Sequence, residues 1–303
     1  MQRINAFSLA PDVITWLAGS NRPRILHVFD HACNLINERK EILSIVMPKI
    51  GNGPFNLVIE KGILFSDHLS LQSQVRCVEL VETSNSSDHL NLGGFAIHTT
   101  DAKLWSPRPD WERLHSQKDK ILASLTQLPI TNYLLHGGFD MPFNEHSGLL
   151  NHQYLPVIQS LLSNLSSTLA TADITTAKSL ASQLAGLGQG LTPAGDDFIL
   201  GSILAVWIIH PPNIAQVLAK EISDTAAALT TSLSAAWLRS AGRGDAGVLW
   251  HDLFNALILP SSSLQSPISN LLATGETSGA DALAGFFGVV SACKERIIDP
   301  CPS

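Results

Sequence analysis

Residues 186–201 have the sequence GLGQGLTPAGDDFILG, and this stretch decides how the second half of the chain folds. Three alternate glycines open it, and glycine permits backbone conformations that other residues avoid. A Thr192-Pro193 turn, the two acids Asp196 and Asp197, and an apolar run follow. The pattern predicts that one helix ends at Gly186 and that a second helix begins just after Pro193.

Around this stretch, the apolar residues from Tyr154 onward recur at helical spacing. Asp173 is typical of a helix N-cap, and Pro211-Pro212 predicts the end of a helix. Residues 151–303 contain only 11 acidic and 6 basic side chains, so few of these helices have a charged face. A helix without a polar face is expected to be surrounded, either inside a globule or against other subunits.

The first half has the pattern of strands, because short β-branched apolar runs alternate with Gly- and Asn-rich turns. The predicted strands are Ile25–Phe29, Ile42–Met47, Phe55–Ile59, Ile63–Phe65, Val75–Val81 and Phe95–Thr99. The sequence therefore predicts an α+β fold. We expect a mainly antiparallel β domain at 1–110, a connecting segment at 111–150, and a predominantly α-helical domain with Gly/Asp loops at 151–303.

Composition excludes several classes of protein. The 303 residues are 45% hydrophobic and 15% charged, with a net charge of −7, which excludes a disordered chain or a coiled coil. The acidic second half is a poor surface for nucleic acid. The four cysteines form no C-x-x-C pair, and the most apolar run, 198–209, is too short to span a bilayer. These features predict a cytoplasmic protein that binds neither nucleic acid nor membrane.

A second segment, GETSGADALAG at 275–285, repeats the first in outline as G-x-D-x-x-x-G. The aligned pairs are Gly195 with Gly279, Asp197 with Asp281, and Gly201 with Gly285. In both copies the aspartate and the second glycine are four residues apart, hence on one helix face. The repeat predicts two helix N-termini that converge on one cavity, each with an aspartate and N–H groups for an anion. The alternative is two similar helix starts in unrelated places.

The candidate catalytic residues are Asp196, Asp197 and Asp281. A carboxylate at a helix start can cap the helix, hydrogen-bond an amide, bind Mg²⁺ or act as a base. The candidate ligand-binding residues would supply loop shape, donors and an anion contact; they are Gly188, Gly190, Thr192, Pro193, Gly195, Arg243, Ser278 and Gly279. Arg243 is equally explained as a solvent-exposed loop residue. No metal-ligand spacing is present, so the expected cofactor is none, or Mg²⁺ held by Asp197 and Asp281.

Three segments together resemble a known family: the central motif, the later GETSGADALAG and the early GNGPFNLVIE at 51–60. They are similar to a bacterial family of uncharacterised domains that includes one of the three subunits of oxamate carbamoyltransferase, an enzyme of anaerobic allantoin and purine catabolism. The resemblance extends from about Leu26 to Ala292. It implies transfer of a carbamoyl group between oxamate and carbamoyl phosphate, together with two partner subunits. The family motif has serine where this sequence has Ala194.

The function that this resemblance implies is a carbamoyltransferase subunit that binds a small anionic or amide metabolite at its Gly-rich helix N-termini. Two alternatives come from other classes. The chain could be a non-catalytic scaffold, in which charge-poor helices form an assembly surface, including a homo-oligomeric one. It could also be a Mg²⁺-dependent hydrolase of a small amide or phosphate, an alternative that rests only on the aspartates.

Overall fold

The structure is a computed structural model that describes residues 2–20, 23–60, 62–69, 89–92, 95–125, 155–259 and 263–298. Its contacts divide the chain into two compact units, Met1–Pro107 and Arg108–Ser303. The first unit is built on a β-sheet and the second is helical, which confirms the predicted α+β class. The predicted strand Val75–Val81 and residues 126–150 of the predicted connecting segment lie outside the described residues.

In the described part of the first unit, one mixed sheet has the strand order β2-β3-β4-β5-β1-β7-β6, and β8 pairs with β1. The strands are β1 (Gln2–Leu9), β2 (Arg24–Val28), β3 (Ala32–Ile36), β4 (Ile42–Val46), β5 (Asn56–Ile59), β6 (His89–Asn91), β7 (Phe95–His98) and β8 (Lys103–Leu104). The helices are α1 (Pro11–Gly19) and α2 (Phe65–His68). Four of these strand pairs are antiparallel and three are parallel.

One face of the sheet makes the core of this unit. It places alternate residues such as Leu35, Leu43 and Leu57 against Val13 and Trp16 of α1. The predicted strand Ile63–Phe65 is wrong, because Phe65 instead begins the short helix α2. That helical turn buries the Phe65 ring completely, 6.3 Å from the ring of Phe95. Burial of a large aromatic side chain outweighs the local β-propensity of a three-residue run.

The second unit is helical throughout its described ranges, 108–125, 155–259 and 263–298. Its described helices are α3 (Trp111–Ser116), α4 (Lys118–Leu125), α5 (Leu155–Ala170), α6 (Ile174–Leu184), α7 (Ala194–Ile209), α8 (Pro212–Ala227), α9 (Ser232–Arg243), α10 (Val248–Ile258), α11 (Gln265–Leu272) and α12 (Ser278–Ile298). Asp173 caps α6 as predicted, accepting a hydrogen bond from the Thr176 amide at 3.1 Å. The Pro211-Pro212 pair both stops α7 and begins α8, where the missing N–H of proline costs nothing.

Helix α7 is the centre of this unit, and all but one of its residues are buried. It crosses α12 at backbone contact. A Cβ atom on Gly201 would lie 1.7 Å from the Ala282 carbonyl oxygen, and one on Gly285 would lie 1.9 Å from that of Phe198. Only glycine permits such an approach. No helix in the described part of the chain is long and apolar enough to cross a membrane.

Candidate functional site

The two G-x-D-x-x-x-G segments lie side by side. The Thr192 Oγ1 atom, just before α7, is 2.9 Å from the Ser278 Oγ atom at the start of α12. The two helices also begin in the same way, because each first glycine lies against the end of the preceding helix. A Cβ on Gly195 would be 2.0 Å from the Leu184 carbonyl oxygen, and one on Gly279 would be 1.8 Å from that of Leu271. Asp197 and Asp281 are therefore the fourth residues of two neighbouring, equivalently built helix starts.

Asp196 is a fully bonded buried carboxylate, with 1% of its surface exposed. Its Oδ1 atom accepts a hydrogen bond from the Gly186 amide at 2.8 Å. Its Oδ2 atom accepts from the Ser234 hydroxyl at 2.7 Å and from the Thr230 hydroxyl. Asp196 thus joins the glycine loop to the connection between α8 and α9 and to α9 itself. This set of partners gives it a positioning role.

Asp197, in contrast to Asp196, has a carboxyl oxygen that is not hydrogen-bonded within the described residues. It is 8% exposed, and its Oδ2 atom is buried without a hydrogen-bond partner among the described residues. Burial raises the pKa of the Asp197 carboxyl well above its usual range, and the charges of Asp281 and Asp196 raise this pKa further. Hydrogen bonds from the Ser278 and Thr192 hydroxyls act against this rise. One oxygen of Asp197 is therefore free to accept a hydrogen bond or a proton.

Several first-turn amides of both helices already donate hydrogen bonds inside the protein. In α7, Gly195 donates to the Leu187 carbonyl at 2.9 Å. In α12, Gly279 donates to the Thr274 carbonyl at 3.1 Å, and Asp281 donates to the Thr277 carbonyl at 2.9 Å. Asp281 itself is buried, with 1% of its surface exposed. A ligand at this place would meet buried carboxylates, which favour a donor over an anion.

The loop residues differ in what they do. Gly188 has φ +123°, and a Cβ there would lie 2.7 Å from the Ala194 nitrogen, so this glycine lets the loop close against the start of α7. Gly190, with φ +89°, is exposed and has no atom within 4 Å of the place of a Cβ. Pro193 is the buried N-cap of α7 and makes no side-chain capping bond.

Two family models match the chain. The model described as oxamate carbamoyltransferase subunit AllH matches residues 184–290, and the model described as the AllH family N-terminal domain matches residues 5–104. Together they cover most of the sequence. The chain belongs to the AllH family. The first match contains both Gly/Asp segments, so the buried aspartates lie within the region that this family model matches. No solved structure matches the chain significantly.

In this AllH-family chain Arg243 is not brought to the aspartates. It is the last residue of α9, half-exposed, with its Nε atom 3.3 Å from Asp245 Oδ2. The Asp196 partner Ser234 lies near the beginning of the same helix. Nine residues separate the two, which corresponds to about 14 Å along the axis. Arg243 therefore lies at the far end of α9 from the aspartate site.

Sequence reasoning missed Thr230 and Ser234 as part of this AllH-family site. Their local signal is a cluster of hydroxyl residues at a helix start, and Thr231 in that cluster is the N-cap of α9, accepting from the Ser234 amide at 3.1 Å. That signal predicts a helix boundary. It contains nothing that links the cluster to Asp196, which lies more than thirty residues earlier in the chain.

Within the described ranges, no group of three or more His, Cys, Asp or Glu side chains is arranged to hold a metal ion. Cys33 is a free, buried thiol, and burial raises its pKa to about 12. A thiol with so high a pKa is not ionised near neutral pH, so Cys33 is a packing residue and not a nucleophile.

The raised pKa of Asp197 predicts how stability changes with pH. The unfolded chain releases this proton near pH 4, whereas the folded chain retains it to higher pH, so the free energy of unfolding falls as pH rises between the two pKa values. Asp197→Asn removes the titrating carboxyl group and with it this fall in the free energy of unfolding. We expect the variant to gain stability relative to the parent as pH rises from 4 to 8, by about 1.4 kcal/mol for each pKa unit of the shift. Urea unfolding at several pH values measures it.

Asp173→Asn is the matched control for that measurement. Asp173 caps α6, and hydrogen bonds from Thr176 lower its pKa, so its contribution to stability increases as pH rises. That increase is complete just above the unfolded pKa near pH 4, so Asp173→Asn should keep a nearly constant offset from the parent between pH 4 and 8, whereas Asp197→Asn should not. A constant offset between Asp197→Asn and the parent across this pH range would contradict the raised pKa of Asp197.

Proposed function

We propose that the chain is a subunit of an oxamate carbamoyltransferase-type enzyme and that Asp197 and Asp281 hold the NH₂ group of an amide metabolite. The observation that carries the proposal is the Asp197 Oδ2 atom, a buried acceptor without a partner among the described residues. Buried polar atoms are normally paired, so an unpaired one in a segment that the family model matches points to a ligand. The family name supports the choice of reaction.

The chemistry of the site selects the amide end of such a metabolite. A carbamoyl or oxamate group carries two N–H donors, and carboxylate and hydroxyl oxygens accept them. The phosphate or carboxylate end would be repelled by Asp197 and Asp281, so it points away from them. The sequence predicts an anionic or amide metabolite at the helix N-termini. The two carboxyl groups favour the amide group at this place.

The raised pKa suits Asp197 to proton transfer. In carbamoyl transfer, the oxamate nitrogen forms a bond to the carbamoyl carbon of carbamoyl phosphate, and the bond from that carbon to the phosphate oxygen breaks. The nitrogen loses one proton, and phosphate leaves with the electron pair of the broken bond. The carboxylate form of Asp197 accepts this proton on Oδ2, because a raised pKa makes a carboxylate a stronger base. Asp196, fully bonded, positions the loop.

Isosteric ligands test this proposal on the isolated chain. Pyruvate has a methyl group where oxamate has NH₂, so the pair differs in the two donors alone. We expect oxamate to bind at least about tenfold more tightly than pyruvate, and Asp197→Asn to abolish that difference, because one charge-assisted hydrogen bond contributes this much. Calorimetric titration measures both constants. Ser182→Ala is the control, because Ser182 is an exposed residue of α6 whose hydroxyl donates to the Ser179 carbonyl.

Equal affinity for oxamate and pyruvate, or an oxamate affinity that Asp197→Asn leaves unchanged, would reject the amide site. The proposal also assigns the enzyme to the cytoplasm and expects two further subunits. Carbamoyl transfer measured with the complete complex is then lost in Asp197→Asn, while the variant still assembles.

A second candidate function is a scaffold, and the outer surface of α8 favours it. Ile214 and Val217 lie three residues apart, on one face of the helix, and are 39% and 51% exposed. Exposed apolar side chains on one helix face suit assembly with another protein. A chain that self-associates through this face in sedimentation experiments, loses that association in Val217→Lys, and binds neither oxamate nor carbamoyl phosphate would be a scaffold.

A further inference from the structure

A row of polar side chains crosses four adjacent strands of the sheet in the first unit. His27 of β2 is opposite Asn34 of β3, Asn34 is opposite Ser44 of β4, and Ser44 is opposite Asn56 of β5. Directly paired residues share one face of a sheet. Their chain neighbours Cys33, Leu43 and Leu57 point to the other face, which is the apolar core. The row is therefore on the face away from that core.

The row is buried although it is polar. Asn34, Ser44 and Asn56 are each 4–5% exposed. Burial of an amide or a hydroxyl costs free energy unless it is hydrogen-bonded. Two buried atoms of the row have no partner within the described residues, namely Nδ1 of His27 at one end and Oδ1 of Asn56 at the other. An unpaired buried acceptor at a defined place requires an explanation.

The orientation of the Asn56 amide is determined by its surroundings. Its Nδ2 atom donates to the Gly51 carbonyl at 3.0 Å, and a carbonyl can only accept, so Oδ1 must point the other way. Gly53 holds the amide from the side, since a Cβ there would lie 2.7 Å from Nδ2. Gly51 and Gly53 both belong to the GNGPFNLVIE segment. Their contacts with the Asn56 side chain explain this part of the segment, because they fix the orientation of the Asn56 amide.

Ser44 supplies a second acceptor beside Asn56. Its hydroxyl donates to Asn34 Oδ1 at 2.7 Å, so its proton is committed and its oxygen lone pairs are left to accept. Ser44 and Asn56 are directly paired on neighbouring strands, which lie about 4.8 Å apart, so the two acceptors come from adjacent positions on one face and suit the two hydrogens of one NH₂ group. No residue of the row carries a permanent charge, and burial lowers the pKa of His27, so this imidazole is neutral at pH 7.

We propose that Asn56 Oδ1 and Ser44 Oγ form a second binding site, in the N-terminal unit, for the NH₂ group of a primary amide. A neutral amide fits better than an ammonium ion, because an ammonium ion would be desolvated there without a counter-charge in the row. The site uses none of the residues of the Asp197 site and stands whether or not that site binds oxamate.

Acetamide and acetone are the probes, because acetone has a methyl group in place of the NH₂. Titration of the full chain is followed by NMR through the side-chain amide signal of Asn56. We expect saturable shifts with acetamide and none with acetone. Ser44→Ala should weaken acetamide binding about tenfold, the usual effect of one lost hydrogen bond, whereas Ser44→Thr, which keeps the hydroxyl, should retain it.

Ser8→Ala is the control, since Ser8 is another buried hydroxyl of the sheet but is bonded to Asn52 at 2.6 Å. It should leave acetamide binding unchanged. The proposal fails if acetone shifts the signal as acetamide does, if the shifts do not saturate, or if Ser44→Ala binds like the parent. A crystal soaked in acetamide that shows only water at Asn56 Oδ1 would also overturn it. Asp197→Asn should have no effect in any of these measurements, which separates this site from the proposed function.

Discussion

Gly201→Ala is expected to lower the free energy of unfolding of the helical unit by about 4 kcal/mol or more, the range in which a single substitution is exceptional. The added Cβ would lie 1.7 Å from the Ala282 carbonyl oxygen. Because this atom is backbone in the second turn of α12, no side-chain rotation relieves the overlap, and the helices must separate. Gly285→Ala should have a similar effect through the Phe198 carbonyl. Urea unfolding followed by far-ultraviolet circular dichroism measures both.

Gly288→Ala is the matched control on α12, one turn after Gly285. Its Cβ would approach only the Ser166 hydroxyl, at 2.6 Å, and that side chain can rotate. Alanine also favours a helix over glycine by about 1 kcal/mol, which offsets part of the cost. We expect little change. If Gly201→Ala unfolded at the same urea concentration as Gly288→Ala, α7 and α12 would not cross at backbone contact.

Asp196→Ala should cost about 3 kcal/mol, because it leaves the Gly186 amide and the Thr230 and Ser234 hydroxyls without their charged acceptor. The neighbouring Asp197→Asn should cost nothing, or stabilise the chain at neutral pH, because it removes a carboxyl that burial makes costly to ionise. Two adjacent acids thus have opposite effects on stability. Thermal and urea unfolding at pH 7.5 measure the stability of both variants. Equal losses of stability in Asp196→Ala and Asp197→Asn would mean that both acids are structural.

Ser234→Ala sharpens this comparison. Alone, it removes one donor to Asp196 and should cost about 1 kcal/mol. In the Asp196→Ala background the same change should cost less, because the hydroxyl has already lost its acceptor. A double-mutant cycle measures this coupling. Strict additivity would show that the Ser234 hydroxyl and Asp196 do not interact.

The helical unit was largely predictable, because its signals are local. The cap at Asp173, the stop at Pro211-Pro212 and the glycine loop that opens at Gly186 each act within one turn of helix. Gly186 indeed has φ +74°, just beyond α6. The match between the two G-x-D-x-x-x-G segments also followed from residue types alone.

The β unit was harder to predict, and β1 shows why. This strand lies between β5 and β7, yet its sequence QRINAFSL does not alternate cleanly in hydropathy. Phe7 is 49% exposed, whereas Ser8 is buried. Long-range pairing and a hydrogen bond to Asn52 override the local pattern there. Phe65 was misassigned for the same reason, since its ring is buried by contact with a distant strand.

The sequence by itself determined where the two helices with Asp197 and Asp281 begin, because caps, glycines and prolines act on the adjacent backbone. Only the tertiary structure decided what each acid can do. Asp196 is satisfied by donors that include Ser234 of α9, whereas Asp197 is placed beside Ser278 and Asp281, more than eighty residues away. Hydrogen bonding and pKa depend on which groups surround a carboxylate in space. No local pattern distinguishes the two neighbours in Asp196-Asp197.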